Sequence, residues 1–364
     1  MKNFYDYLCL SLIAMELKPS ESREFSLFLS NENIYEKENS INLISKNFPK
    51  IIEKFQNKLV KETIMNKISK WESQGIKFLL LGTNDYPISL KSIFNPPLVL
   101  FYKGIWKKDY DYNNSVAIVG SRKACLMQSK FVSELAKSLS YSNICIVSGL
   151  AQGIDAASHI GALGNPSNLF PTIAVLGSGV NYIYPSVHKY LAHKIIEEGG
   201  VILSHFLPDT SPLPYNFLDR NRVISGLSKI IIVAQAAMKS GALSTARYAL
   251  EQGRDLLAVL GPVYDEGFEG SNNLITQGAI PIANIDDFYK LYPEYLKDMN
   301  LDNIESTITN EPEKTVYEYI KKRKKVTRSE LYEKFIDLDL PLIIINLQAE
   351  NYIDSLPGEE YVVR

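Results

Sequence analysis

Short, β-branched apolar runs that stop abruptly at small or polar residues recur through the middle of this chain. Val116-Ala117-Ile118-Val119 stops at Gly120-Ser121-Arg122, and Ile144-Cys145-Ile146-Val147 stops at Ser148-Gly149-Leu150-Ala151-Gln152-Gly153-Ile154-Asp155. Between them, residues 128–140 place Phe131, Val132, Leu135, Ala136 and Leu139 at helical spacing. Apolar strand, amphipathic helix, apolar strand is the pattern of a βαβ unit in a buried parallel sheet. Further strands are predicted over residues 172–177, 200–204, 228–235 and 255–261, with helices over 156–163, 187–198 and 243–252. The expected fold class is α/β: a Rossmann-like, doubly wound, mainly parallel sheet with right-handed crossovers.

The flanks read differently. Residues 1–74 are helical in pattern, with Phe4, Tyr7, Leu8, Leu12 and Met15 on one stripe and polar breaks at Asn31-Glu32-Asn33 and Asn47-Phe48-Pro49. Residues 75–81 and 96–104 read as two strands, with Asp85-Tyr86-Pro87 opening a short helix between them and a polar joint over 107–114. Residues 291–313, rich in Asp, Asn and Glu, read as a linker. Beyond it come a helix over 316–322, a second opened by the capping box Thr327-Arg328-Ser329-Glu330, a third opened by Pro341, and a hairpin over 356–363. Three short helices and a hairpin predict a winged-helix domain. The expected domains are therefore 1–74, 75–290 and 314–364.

Composition narrows the chemistry. The chain has 364 residues, so two or three domains are expected, and 46% apolar content supplies their cores. A formal net charge of −2 means that any polyanion must meet a local basic patch. Cys9, Cys125 and Cys145 have no metal-ligand spacing, and an odd count argues against a disulfide framework. Asp6 and Glu16 speak against a signal peptide, and no run reaches the roughly 20 apolar residues that span a bilayer. A cytoplasmic protein without membrane contact is expected.

Ligands of parallel sheets bind where strands end, because helix N-termini and small-residue loops present backbone N–H groups there. Gly120-Ser121-Arg122 can grip phosphate oxygens, although a tight turn with a surface arginine explains it equally. No G-x-G-x-x-G occurs there, so a dinucleotide site is not expected. In the second loop, Gly149 and Gly153 permit close approach, while Asp155 reads as a cap and His159 as packing. Phe217-Leu218-Asp219-Arg220-Asn221-Arg222 concentrates positive charge just before an apolar turn and strand; a local pair with Asp219 is the alternative to phosphate contact. Lys239-Ser240-Gly241 opens a helix with hydroxyl residues, and Gly270-Ser271-Asn272-Asn273 reads as a polar loop on the same edge. No nucleophile–base–acid set, carboxylate pair or metal cluster stands out, which favours a binding module without a cofactor.

Taken in order, these motifs, with Tyr184-Pro185, Gly253-Arg254 and Leu274-Ile275, resemble the DprA/Smf family of DNA-processing proteins over about residues 75–285. The resemblance implies a homodimer that binds and protects incoming single-stranded DNA in natural transformation, loads the RecA recombinase onto it, and is not an enzyme. It also implies an N-terminal SAM-like helical domain. By analogy Gly120, Ser121, Arg122, Lys189, Arg220 and Arg222 contact DNA. Lys123, Ser148, Gly149, Gly153, Asn221, Lys239, Ser240 and Gly241 complete the candidate set, with Tyr182, Tyr184, Tyr215 and Phe217 as stacking surfaces. The chain departs from the family pattern at His205 and Gln235, where Glu is frequent, and at Phe217-Leu218-Asp219. The third helix of the last domain carries no Lys or Arg, so groove reading by it is not expected. Two alternatives stand beside this: a nucleotide-processing enzyme similar to the lysine-decarboxylase-like phosphoribohydrolases, although residues 239–245 lack that family's acid, and an adaptor working through its terminal domains.

Overall fold

Apolar runs too short for helices pair side by side, and in the computed structural model they build one nine-stranded sheet. All residues are described except 1, 32–39, 108–109, 297–307, 309, 350–351, 357 and 364. The strands are β1 (Lys77–Leu80), β2 (Val99–Gly104), β3 (Ser115–Val119), β4 (Cys145–Ser148), β5 (Thr172–Val175), β6 (Val201–Ser204), β7 (Ile230–Val233), β8 (Asp255–Val259) and β9 (Ile280–Ile282). Their order is β1-β2-β6-β5-β4-β3-β7-β8-β9. β3 to β9 are mutually parallel, while β2 runs antiparallel to β6 and β1 antiparallel to β2. The chain walks outward from β3 to β6, then returns to β3 and walks the other way through β7, β8 and β9. Right-handed crossovers in opposite directions place helices on both faces. That is why the central strands are buried from end to end. The mainly parallel α/β class read from the sequence stands.

Among the described residues eight α-helices precede the midpoint of the sheet: α1 (Lys2–Met15), α2 (Pro19–Asn31), α3 (Ser40–Asn47), α4 (Pro49–Gln56), α5 (Lys58–Ser73), α6 (Ile88–Lys91), α7 (Leu126–Tyr141) and α8 (Ile154–Ala162). The remaining helices of this unit are α9 (Lys189–Glu197), α10 (Pro214–Leu227), α11 (Ala242–Glu251), α12 (Glu269–Thr276) and α13 (Ile285–Leu291). Met1–Leu296 form one compact unit. Helices α1–α5 do not close a core of their own: Leu8, Ile13, Ile68 and Trp71 belong to the same buried cluster as Leu79 and Phe101 of the sheet. Trp71 stands edge-on to Phe101 at 5.7 Å, and its indole N–H donates to Asp209 Oδ2 at 3.0 Å. Trp71→Ala removes this joint, and denaturant unfolding is expected to show a loss of about 3–5 kcal/mol.

Three local expectations change. Arg220-Asn221-Arg222 lies inside α10 and not before a turn and strand. Pro214 starts that helix at its first turn, and Val223, Ile224 and Leu227 are buried residues of its last turns. Gly270-Ser271-Asn272-Asn273 is helical, not a loop, because the Gly270 and Ser271 N–H groups both donate to Ala236 O beyond β7 and start α12 there. Order continues past residue 290: Tyr292 and Tyr295 pack on Phe288, so the first residues of the expected linker belong to this unit. Most of the remaining linker, the break at residues 32–33 and part of the 107–114 joint lie outside the described residues.

Lys297–Arg364 form the second unit. Its helices Glu311–Arg323, Arg328–Lys334 and Leu340–Ala349 surround Val316, Tyr317, Ile320, Leu331 and Leu347. Strands β10 (Val326–Thr327), β11 (Ile353–Leu356) and β12 (Glu360–Val363) form a small sheet in the order β10-β12-β11. The expected capping box is present, with Thr327 Oγ1 accepting from Glu330 N–H and the Glu330 carboxylate accepting from Thr327 N–H.

Candidate nucleic-acid interface

β3 and β7 are neighbours whose chains leave in opposite directions, so a crevice opens at their carboxyl ends. Gly120-Ser121-Arg122-Lys123 occupies it. Ser121 N–H donates to Gln235 O at 2.7 Å, and Ser121 O accepts from Ile154 N–H at 3.2 Å, so this residue fastens the loop to β7 on one side and to α8 on the other. The Ser121 hydroxyl accepts from Lys123 N–H at 3.1 Å and tightens the turn. Gln235 Oε1 accepts from Cys125 N–H at 3.1 Å, fixing the approach to α7. With the backbone held, the Arg122 and Lys123 side chains stand exposed. The Arg122 guanidinium lies 5.5 Å from the centre of the Phe217 ring, and Tyr184, in the loop after β5, lies 5.4 Å from Phe217 ring to ring.

The second loop is shaped by contact with the first. Gly153 has φ +77°, and a Cβ there would run into the carbonyl groups of Ser121 and Arg122. Gly149 has no room for a Cβ because the Arg220 guanidinium lies against it. Leu150, fully buried, is held in the left-handed region at φ 58°, where His188 Nδ1–H donates to its carbonyl at 2.8 Å. Asp155 Oδ2 accepts from Gly149 N–H at 3.1 Å and Ala151 N–H at 3.4 Å. Its expected structural role holds, but it clamps the preceding loop and does not cap α8.

Arg220 is 5% exposed. Its NH1 donates to Gly149 O at 2.7 Å and Val175 O at 2.5 Å, and its Nε to Asn221 Oδ1 at 3.0 Å. α10 starts at the carboxyl rim and returns to β7, so its first turns cross the ends of β4 and β5, where carbonyls lack partners. Burial lowers the guanidinium to about 10; Asp155 opposes that shift and Arg122 adds to it. Asp155 in turn is raised by burial, with Arg220 and the two loop amides pulling the other way. Arg220 is therefore a bolt across the rim.

Arg222 is also engaged. Its Nε donates to Asp219 Oδ1 at 2.8 Å and its NH1 to Asn95 O, while Asp219 Oδ2 accepts from His205 Nε2–H at 2.7 Å. Burial opposes ionisation of Asp219, but the His205 hydrogen bond and the Arg222 charge outweigh it and hold the carboxyl well below its usual range. Burial likewise lowers His205, whose Nδ1 is buried without a partner, so the imidazole is neutral with its proton on Nε2. The departure at His205 thus serves a hydrogen-bonded network that links β6 to α10.

These contacts engage both arginines within the protein, where the sequence reading expected phosphate. A helix places residues two apart about 200° around its axis, so the two guanidiniums point away from each other into the protein. Asn221 is buried and donates to Gly241 O at 3.2 Å and Ser244 Oγ at 2.8 Å, and buried Ser148 donates to Ile118 O at 2.6 Å. Gly149 serves as packing. Of the candidate set, Arg122, Lys123, Lys189, Lys239 and Gly241 present exposed surface, and Gly120, Ser121, Gly153 and Ser240 are half-buried around them. Asp155, His188 and the His205–Asp219 pair join the supporting structure; of these, the sequence signalled Asp155 as structural, Asp219 as a local partner of one arginine, and His205 as a departure from the family pattern, but not His188. His159 is core: Nδ1–H donates to Thr172 Oγ1 at 2.7 Å, and burial takes its pKa down to about 3. Among the described residues no group of three His, Cys, Asp or Glu could hold a metal ion, and no helix is long and apolar enough to cross a membrane.

The rim thus offers an exposed guanidinium beside two aromatic rings, on a loop with little freedom to move. Planar, charge-assisted contact with phosphate and stacking against bases are what such a surface can do. The family model described as DNA recombination-mediator protein A matches residues 77–293. Protein Smf of Escherichia coli K12 is 42% identical over 198 residues, 54% of this chain and 52% of its own length, so the chain spans about half of that relative. DNA processing protein DprA of Bacillus subtilis 168 is 38% identical over 227 residues, 62% of this chain and 75% of its own. Among solved structures, DNA processing protein A of Streptococcus pneumoniae covers 72% of this chain and 94% of its own, at TM-score 0.55 and 32% identity. That of Helicobacter pylori, described for its unique single-stranded DNA binding mode, covers 61% and 96%, at TM-score 0.52 and 30% identity.

Proposed function

The chain belongs to the DNA recombination-mediator protein A family, and from that premise we propose that it binds single-stranded DNA at the β3–β7 crevice without reading sequence. One observation carries the reading: Arg122 stands exposed over Phe217 on a loop fastened through Ser121 to β7 and to the start of α8, against Gly153 of the 148–155 loop that Arg220 and Asp155 hold in turn. Lys123, Lys189 and Lys239 add exposed positive charge, and Tyr184 and Phe217 offer rings. Contact with phosphates and ring faces is the same for every sequence. The carboxylates near this rim are engaged within the protein, Asp155 with loop amides and Asp219 with His205 and Arg222, which supports holding a strand over cleaving one.

In this reading the protein acts as a homodimer in the cytoplasm during natural transformation or recombination, protects the strand and hands it to the RecA recombinase. The three helices and three-stranded sheet of residues 311–363 form its winged-helix domain, used for protein contact and not groove reading. Fluorescence anisotropy of the full chain with labelled oligo-dT tests the core of the proposal. Affinity should fall linearly in a log–log plot against salt, by about 0.7 per phosphate neutralised, and duplex DNA should compete poorly. Salt-independent binding, or duplex bound as tightly as the single strand, would overturn it. Release of free base from nucleoside monophosphates would point instead to the enzyme alternative.

A further inference from the structure

A cavity of about 300 Å³ lies between β2, the loop after β5, α9 and β6. Its floor is apolar: Val180, Ile183, Ala192, Ile196 and Ile202. Its rim is polar and basic, formed by Lys103, Asn181, Lys189 and His193. Lys189 and His193 are four residues apart on α9 and so share one face of that helix. Lys103 reaches in from β2, half-buried, and its ammonium donates to Asn181 Oδ1 at 3.0 Å. The Asn181 amide is fixed in turn by donating to Gln74 Oε1 at 2.9 Å and Asp209 Oδ1 at 2.7 Å. An ammonium has three donors, so Lys103 is aimed by one contact and keeps others for a ligand. Burial lowers its pKa, with Asp209 opposing. No carboxylate lines the cavity, and Asp209, behind Asn181, is engaged by Trp71 and Asn181.

We propose that this cavity takes one nucleoside phosphate, with the base on the aliphatic floor and the phosphate among Lys103, Lys189 and His193. The volume is at the lower end of small-ligand sites, which suits a single nucleotide. The floor is aliphatic and Asn181 at the rim is already engaged, so neither offers a hydrogen-bonding edge to tell one base from another. The position ties it to the crevice: Ile183 is part of its floor, while the next residue, Tyr184, packs on Phe217 beside Arg122. A strand crossing Tyr184 would place a neighbouring nucleotide here, and in that form the inference rests on the single-strand reading above.

Two arms separate the sources of that chemistry. In oligo-dT anisotropy, Lys103→Met should weaken binding several-fold and make the log–log salt slope shallower by about 0.7, the signature of one lost phosphate contact. His193→Ala, at an exposed site where folding is not at stake, should weaken binding by a smaller factor. In NMR of the full chain, the His193 ring signals should shift on adding oligo-dT. A saturable shift with thymidine monophosphate alone would assign the cavity to free nucleotide instead of the strand, with the site itself upheld. Unchanged affinity and slope in Lys103→Met, with no His193 shift from either ligand, would overturn the pocket while leaving Arg122-dependent binding intact. Loss of the single-strand reading would show as no oligo-dT binding by the unaltered protein, and the thymidine monophosphate titration would still decide the pocket.

Discussion

Arg122→Ala is expected to weaken oligo-dT binding by about ten- to a hundredfold and to make its log–log salt slope shallower by about 0.7, while the unfolding midpoint hardly moves. A hydrogen bond to a charged group is worth about 1.5–3 kcal/mol, and each 1.4 kcal/mol is a factor of ten. Stability should be spared because Arg122 is exposed and the loop is held by the backbone of Ser121 and by Gly153, not by the arginine. Arg122→Lys should restore the slope but only part of the affinity, since an ammonium supplies charge without the planar fork that meets a phosphate with two bonds. Anisotropy across a salt series reads both quantities. Equal affinity and slope in the alanine variant would remove Arg122 from the interface.

Arg220→Met is expected to do the reverse, costing stability first and binding as a consequence. It leaves Gly149 O and Val175 O without their donor and Asp155 without its nearby positive charge. Removing one partner of a buried charge pair costs about 3–5 kcal/mol, read by urea unfolding. Acid should reduce the deficit. Asp155 is already raised by burial, and without Arg220 it rises further, so the folded variant binds a proton more readily than the unfolded chain does. Stability then falls as pH rises from the usual carboxylate range through the folded value, and the gap to the unaltered protein narrows as pH is lowered. A deficit independent of pH would mean that Arg220 acts through its carbonyl contacts alone.

The contrast between these two arginines marks where the sequence was legible. β-branched runs ending at small residues located β3 to β8 to within a residue or two, because buried parallel strands carry one unmistakable signal: they are apolar throughout. β9, short and exposed at Ile280 and Pro281, lacks that signal and was not legible. Arg122 was legible for the same reason, as the first long polar side chain beyond such a run. α10 was not. Its middle carries Asn216, Asp219, Arg220, Asn221 and Arg222, and these polar groups face inward to strand ends and to β6, so no apolar stripe declares a helix. An inward-facing arginine is visible only when the carbonyls that receive it are known, and those of Gly149 and Val175 lie on distant stretches of chain. The union of α1–α5 with the sheet was hidden similarly, since Trp71 and Phe101 meet from thirty positions apart in the chain with no local trace.

The outermost strand carries a consequence of its own. β9 is three residues long and its centre is Pro281, paired with Ala258 of β8. An open sheet border is a template on which a stray extended segment, from another copy or a partly unfolded neighbour, can add and propagate towards fibrils. A proline there removes a backbone donor from the border, and its brevity leaves little length on which to dock. The guard stands at the flank of the sheet where uncontrolled stacking of strands would otherwise start.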